Sequence, residues 1–205
     1  MHNVLIFGDS YSTFQGYTPS GYVNYYPNLD VHRVEETWWA RFIEKTNGNL
    51  IGNNSWSGTK FGYTENNGVC VKDSSFVSRY EKLKREGFFA ENRVDTVFVF
   101  GGTNDSWADV PLGEMKISDW EEKDLFHVFP AICYFAYMLK NDLPKAEIIF
   151  IVNTGLKEEI RTCIETVAEY YGARSVRLEN IDKVNCHPTK KGMLEISEQL
   201  LKAFI

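Results

Sequence analysis

The sequence predicts an α/β protein in which a parallel β-sheet is covered by helices on both faces. Short apolar runs alternate five times with longer segments whose apolar residues recur at helical spacing, as in strand–helix–strand units. The apolar runs are unbroken by polar residues, as expected for strands that are buried on both faces. The length of 205 residues suits one compact domain, which we assign to residues 1–205.

The strands are assigned to the short apolar runs in chain order. The first run leads directly into Gly8 and the third ends at Gly101, and glycine commonly marks the place where a strand gives way to a turn. The second run is brief and precedes a turn that starts at Gly52. The predicted strands are residues 3–7, 50–51, 94–100, 147–152 and 175–178.

The helices are assigned to segments whose apolar residues recur every three or four positions. Gly48 and Gly172 end two of these segments, and Pro130 is expected to bend the longest one. A polar and aromatic loop, residues 8–34, separates the first strand from the first helix. The predicted helices are residues 35–47, 75–86, 121–141, 157–171 and 189–204.

The charge and cysteine patterns exclude several classes of function. The net charge is −6 and no basic run of five residues occurs, so neither nucleic acid nor an anionic membrane is an expected partner. The four cysteines are widely spaced without a CxxC pair, which argues against a zinc site and favours a reducing compartment. Because the sequence has no 18-residue apolar run and no leader-like N-terminus, we expect a cytoplasmic protein.

Polar clusters follow four of the five predicted strands, near the point where each strand ends. They occupy residues 8–12, 53–59, 101–105 and 182–188. Ligands of open parallel sheets bind beyond the carboxyl ends of the strands, so we expect these clusters to meet at one edge of the sheet. The functional site is therefore predicted at that edge.

The clusters contain the groups that acyl transfer requires. Ser10 offers a hydroxyl nucleophile, and His187 can act as its base because an imidazole titrates near neutral pH. The backbone N–H groups of Ser10 and Gly58 and the side-chain amide of Asn104 can stabilise the negatively charged oxygen of a tetrahedral intermediate. Such a site needs no metal and no organic cofactor, and its partner is a small-molecule ester.

In these residues the chain resembles the SGNH hydrolases, the GDSL-type esterase superfamily. The four blocks of that family correspond to Gly-Asp-Ser at Ser10, Ser-Trp-Ser-Gly at Gly58, Gly-Thr-Asn-Asp at Asn104 and Cys-His-Pro at His187. The blocks occur in family order, and the resemblance spans residues 4–192. It implies a flavodoxin-like, three-layer α/β/α sandwich with strand order 2-1-3-4-5, and it implies the activity of a serine esterase.

One position departs from the family pattern. The family usually has an acid three residues before the histidine, and Val184 occupies that position here. Asp182 is the preferred candidate for the group that orients His187, with Asn185 or a backbone carbonyl as alternatives. A neutral orienting group can still fix the imidazole tautomer, but it stabilises the imidazolium less than a carboxylate does. A Ser–His dyad is therefore the main alternative to a triad.

Aromatic residues are frequent in the loops at the predicted site. Tyr11, Trp56 and Trp107 are candidate substrate-binding residues, because flat rings with polar edges suit sugars better than lipid chains. We therefore expect removal of a small acyl group, acetyl, from a carbohydrate. The alternatives are a lysophospholipase, thioesterase or arylesterase of the same fold, and a non-catalytic flavodoxin-like binding module. The sequence leaves the alcohol part of the substrate and the oligomeric state open.

Overall fold

The structure is a computed structural model that describes residues 2–63, 65–66, 69–70, 72–108 and 110–204. Its centre is a five-stranded parallel sheet, as the sequence predicts. The strands are β1 (Asn3–Gly8), β2 (Asn49–Ser55), β3 (Thr96–Phe100), β4 (Glu147–Val152) and β5 (Arg174–Arg177). Their order across the sheet is β2-β1-β3-β4-β5, which confirms the order implied by the family resemblance.

Helices cover both faces of the sheet. They are α1 (Trp38–Thr46), α2 (Phe76–Arg85), α3 (Phe88–Glu91), α4 (Thr103–Trp107), α5 (Val128–Asp142), α6 (Glu158–Tyr170) and α7 (Lys190–Phe204). Successive residues of β1 alternate between the two layers: Leu5 packs in the core that contains α2, α5 and α6, and Ile6 packs in the core that contains α1 and α7. The three layers therefore follow from strands that are apolar on both faces.

Two predicted elements differ from the observed ones by more than a few residues at one end. Strand β2 extends to Ser55, although Asn53, Asn54 and Ser55 are polar, because their side chains are buried and hydrogen-bonded near the ends of β1 and β2. The helix predicted over residues 121–141 begins only at Val128, after a short 3-10 helix (Glu122–Phe126). Pro130 then lies in the first turn of α5, where its missing N–H has no helical partner to lose, so the physical reason for the expected bend does not apply.

No helix among the described residues is long and apolar enough to cross a membrane. Cys133 and Cys163 are buried as free thiols, and Cys186 is an exposed free thiol.

Candidate active site

The turn after β1 presents Ser10 at the carboxyl edge of the sheet. Strand β1 ends on a glycine because the space beside it is already filled: a Cβ on Gly8 would lie 2.5 Å from Cβ of Ser12 and 2.6 Å from Oγ of Ser55. The chain therefore passes unusually close to the end of β2 before it turns. Ser10 follows two residues later and is 3% exposed.

Asp9 stabilises the turn of residues 9–12, here named the nucleophile turn because it carries Ser10, the candidate nucleophile. Its backbone N–H donates to the carbonyl of Phe100 at 3.2 Å, and its Oδ1 accepts from the N–H of Tyr11 at 3.0 Å. The carboxyl group is fully buried, and this burial raises the pKa of Asp9 to about 6. Asp9 therefore shapes the turn through backbone contacts, and Ser10 is left to face the site.

His187 is presented by a β-hairpin that the sequence analysis did not predict. Strand β6 (Lys183–Val184) pairs antiparallel with β7 (His187–Pro188), and only Asn185 and Cys186 connect them. Both connecting residues have positive φ, 48° and 64°, as a type I′ turn requires. This turn reverses the chain within two residues and places the imidazole of His187 against the backbone of the turn itself.

Ser10 and His187 form a hydrogen-bonded pair. Nε2 of His187 lies 3.0 Å from Oγ of Ser10, and Nδ1 lies 3.0 Å from the carbonyl oxygen of Asn185. With Nδ1 donating to that carbonyl, Nε2 is the nitrogen free to accept the serine proton. Burial lowers the pKa of His187, the Asn185 carbonyl opposes that shift, and the Lys183 cation adds to it. The lowered pKa favours the neutral imidazole, which is the form that a general base requires.

Asp182 does not orient His187, which corrects the preferred expectation from the sequence. Its Oδ2 accepts a hydrogen bond from the hydroxyl of Thr189, and that hydroxyl accepts from the N–H of Gly192 at 3.2 Å in the first turn of α7. The physical reason is the hairpin, which carries His187 away from Asp182 and leaves the Asn185 carbonyl beside Nδ1. The backbone carbonyl left open as an alternative occupies the place of the third triad member.

Three predicted donors for an oxyanion follow the ends of β1, β2 and β3, and Asn104 lies in the short helix α4. Gly58 has φ +80°, and neither its N–H nor that of Ser10 donates to another atom of the described residues. Asn104 donates one amide hydrogen to the carbonyl of Thr59 at 2.9 Å, which ties it to the residue after Gly58 and leaves its second amide hydrogen available. This contact links Asn104 to the loop that carries Gly58.

The three candidate substrate-binding aromatics differ in exposure. Tyr11 is 1% exposed and its hydroxyl donates to the carbonyl of Cys186, so it supports the histidine turn and cannot form a substrate surface. Trp107 is 52% exposed, and its ring centre lies 6.2 Å from that of His187. Trp56 stacks on Tyr22 with ring centres 4.2 Å apart. The expectation for Tyr11 is therefore corrected, whereas Trp56 and Trp107 stay candidates.

Arg79 is a residue of the site that the sequence analysis missed. It lies fully buried beneath the nucleophile turn, where its guanidinium donates to the carbonyl oxygens of Gly8 and Asn54 and to the hydroxyl of Thr59. Burial lowers the pKa of Arg79 to about 9. The sequence did contain a sign of this burial, because Arg79 occurs among Phe76 and other apolar residues on one face of the helix.

Lys183 is a second supporting residue that was missed. Its Nζ donates to Oδ1 of Asn153 at 2.9 Å and to Oγ1 of Thr154 at 2.6 Å. The amide of Asn153 in turn donates to the hydroxyl of Thr103 at 2.9 Å, next to Asn104. This chain of contacts joins the histidine hairpin to the helix that carries the candidate oxyanion donor.

Among the side chains that the structure describes, no group of three or more His, Cys, Asp or Glu residues could hold a metal ion.

Comparison with known proteins places the chain among hydrolases. A sequence model of the GDSL-like lipase/acylhydrolase family matches residues 2–204. A solved structure from Bacteroides ovatus ATCC 8483, described as a GDSL-like lipase, is 37% identical, with a TM-score of 0.92 over 100% of this chain and 98% of the other. Another from Bacteroides uniformis ATCC 8492, described in the same way, is 37% identical, with a TM-score of 0.91 over 98% and 94%.

A more distant structure shares the fold alone. It is an acetyl xylan esterase from the rumen bacterium Butyrivibrio proteoclasticus, 17% identical, with a TM-score of 0.63 over 99% of this chain and 63% of the other. No curated protein matches the chain. The fold and the family match together define an α/β protein of a hydrolase class. The chain belongs to the GDSL-like lipase/acylhydrolase family.

The position of Asp182 leads to a prediction that separates a dyad from a triad. We expect Asp182→Asn to keep kcat for ester hydrolysis within about threefold of wild type, since its carboxylate bonds Thr189 rather than His187. Loss of a true triad acid costs about 10⁴-fold. Steady-state kinetics on p-nitrophenyl acetate measure the difference, and Asn185→Gly, which keeps the carbonyl and permits positive φ, is the matched variant. A loss of 100-fold or more in kcat for Asp182→Asn alone would show that Asp182 acts as the acid of a triad.

Proposed function

We propose that this protein is a serine carboxylester hydrolase that removes a small acyl group, acetyl, from a carbohydrate or a similar polar alcohol. The observation that carries the proposal is the 3.0 Å contact between Oγ of Ser10 and Nε2 of His187. A serine hydroxyl is a weak nucleophile until a base accepts its proton, and this pairing supplies the base. The free N–H groups of Ser10 and Gly58 and the amide of Asn104 support the same chemistry.

The proposed reaction proceeds through an acyl-serine. Oγ of Ser10 attacks the ester carbonyl carbon while its proton passes to Nε2 of His187, and the electron pair of the C=O bond becomes the charge of the oxyanion. When the intermediate collapses, the bond to the alcohol breaks and the imidazolium returns its proton to the departing oxygen. Water, deprotonated by the same nitrogen, then attacks the carbonyl carbon of the acyl-serine. The bond between that carbon and Oγ breaks, Oγ of Ser10 takes the proton back from the imidazolium, and the acid is released.

The surroundings of Ser10 favour a short acyl group and a polar alcohol. Ser10 is 3% exposed, and we infer that a hydroxyl so confined accepts a small acyl group more readily than a long one. A cleft of about 640 Å³ is lined by Trp56 and not by Ser10 or His187, and it lies next to the nucleophile turn because the backbone N–H of Trp56 donates to the carbonyl of Gly8 at 3.1 Å. The stacked rings of Tyr22 and Trp56 form one wall of this cleft, and charged side chains such as Arg85 line the rest. A sugar ring suits a wall of this kind better than an alkyl chain does.

A substrate panel tests the proposal. Rates on p-nitrophenyl acetate, butyrate and octanoate are expected to fall by about tenfold or more across the series, because extra methylenes find no pocket. Acetate release from acetylated xylo-oligosaccharides should depend on Trp56, so Trp56→Ala raises KM for the sugar and leaves KM for p-nitrophenyl acetate unchanged. Tyr170→Ala removes an exposed ring that does not line the cleft and is the matched control.

Two results would overturn the proposal in different ways. Rates that rise with acyl length would replace the carbohydrate substrate with a lysophospholipase or thioesterase activity. Absence of hydrolysis on every ester of the panel would favour a binding module instead.

A further inference from the structure

One face of the His187 imidazole is covered by an aromatic ring. The ring of Tyr25 lies parallel to it, with ring centres 3.6 Å apart and an angle of 7° between the planes. Tyr11 and Trp107 approach at steeper angles and larger distances, 5.4 Å and 6.2 Å. Tyr25 is therefore the residue in full face-to-face contact with the proposed base.

Hydrogen bonds connect Tyr25 and its neighbour Tyr26 to the segments that carry Ser10 and His187. Its backbone N–H donates to Oγ1 of Thr13 at 2.9 Å, and that hydroxyl donates to the carbonyl of Ser10 at 3.0 Å. The next residue, Tyr26, donates its hydroxyl to the carbonyl of Pro188 at 2.6 Å. The segment is thus anchored on the nucleophile turn at one end and on the strand of His187 at the other. Such anchoring is typical of a positioning residue rather than of an adaptable substrate surface.

The groups around His187 do little to stabilise a positive charge on its imidazole, so a ring that can stabilise this charge matters for catalysis. Transfer of the serine proton creates an imidazolium, and its Nδ1 faces a neutral carbonyl where a triad would supply a carboxylate. Burial and the cation of Lys183 both disfavour the positive charge. Lys183 on β6 is a charged side chain that acts on the imidazole, and the titratable rings of Tyr11 and Tyr25 face it from the loop after β1. Cys186 in the hairpin turn and Asp9 beside Ser10 act on Tyr11 and Lys183.

We propose that Tyr25 is a positioning residue whose ring holds the His187 imidazole in the plane that reaches Ser10 and stabilises the imidazolium formed during catalysis. The ring takes over part of the task that a carboxylate performs in a triad, because the negative face of an aromatic ring attracts a cation. This inference rests on the proposed esterase activity. It concerns the proton held at Nε2 while the bond between Oγ of Ser10 and the ester carbon forms.

The test compares Tyr25→Phe with Tyr25→Leu. Phenylalanine keeps the ring, so kcat stays within about twofold of wild type. Leucine keeps apolar cover without a π face, so kcat falls by about three- to tenfold with KM for p-nitrophenyl acetate unchanged. NMR titration should show the pKa of His187 falling by about half a unit in Tyr25→Leu and staying in place in Tyr25→Phe. His187→Gln identifies the signal among the four histidines.

A second series removes any concern that Tyr25→Leu disturbs the fold. Phenylalanine analogues with increasing ring fluorination, inserted at position 25, keep the shape and withdraw negative charge from the ring face. Both kcat and the His187 pKa should decline stepwise along this series. A flat series, equal values for Tyr25→Phe and Tyr25→Leu, or an effect on KM alone would overturn the proposal.

Failure of the esterase proposal would give a different result. In that case Ser10→Ala would hydrolyse p-nitrophenyl acetate as fast as wild type does. The His187 pKa is measured without turnover, so it would still report whether the Tyr25 ring stabilises the imidazolium.

Discussion

Ser10→Ala is expected to lower kcat/KM for p-nitrophenyl acetate by about 10⁴-fold or more, and His187→Ala is expected to cost about as much. The two residues act as one unit, because Oγ of Ser10 gains nucleophilic character only through its 3.0 Å contact with Nε2 of His187. The double variant should therefore be no slower than either single variant. Residual activity above the uncatalysed rate would come from the oxyanion donors and from substrate binding.

The controls for this prediction address which serine is required and which residue acts as the base. Ser118→Ala removes an exposed serine hydroxyl and should leave kcat/KM unchanged. Added imidazole should restore part of the activity of His187→Ala and none of that of Ser10→Ala, because only the base is replaced. Independent losses that multiply in the double variant would contradict a Ser–His pair.

The location of the candidate site could be predicted from the sequence because it depends on strand ends. Ser10, Gly58 and Asn104 each follow a strand of the parallel sheet, and such ends share one edge. Short apolar runs identify buried strands reliably, even where the predicted bounds differ from the observed ones by several residues. His187 was predicted from the polar cluster that follows the fifth strand, although it lies on a hairpin and not directly at the end of β5.

The group behind His187 could not be predicted because it is set by backbone conformation. Asn185 and Cys186 connect two strands of two residues each, and neither is the glycine that usually marks such a turn. Counting positions back from the histidine points to Asp182, whereas the turn directs a main-chain carbonyl to the imidazole. A spacing rule that holds for an open loop fails for a hairpin.

Tyr25 and Arg79 show a second limit of sequence patterns. Tyr25 stacks on a residue from the opposite end of the chain, and one aromatic among many in a loop gives no sign of which ring it will meet. Arg79 lies on the apolar face of α2, where periodicity treats a charge as an interruption. Its partners are the ends of β1 and β2, so its function depends on tertiary packing that periodicity does not describe.

Arg79→Met is expected to destabilise the protein by on the order of 3 kcal/mol or more. The guanidinium donates to the carbonyls of Gly8, Asn54 and Ser74 and to the hydroxyl of Thr59, and methionine would remove all four hydrogen bonds. Each acceptor that stays buried without another donor costs roughly 1–3 kcal/mol, whereas the Gly8 carbonyl keeps the N–H of Trp56. Relief from burying a cation offsets part of this cost. The midpoint of urea denaturation, with its slope unchanged, measures the loss of stability.

The same substitution should also impair ester hydrolysis in the molecules that remain folded. Arg79 joins the carbonyl of Gly8, before the nucleophile turn, to Thr59, beside the candidate oxyanion donor Gly58. Without it these two loops lose their common support, so kcat should fall while KM changes little.

Arg85→Met is the control for stability. It replaces an exposed arginine at the end of the same helix and should change the free energy of unfolding by less than about 0.5 kcal/mol. Equal stability of the two variants would mean that the buried guanidinium is dispensable, and the nucleophile turn would then depend on Asp9 and the close packing at Gly8.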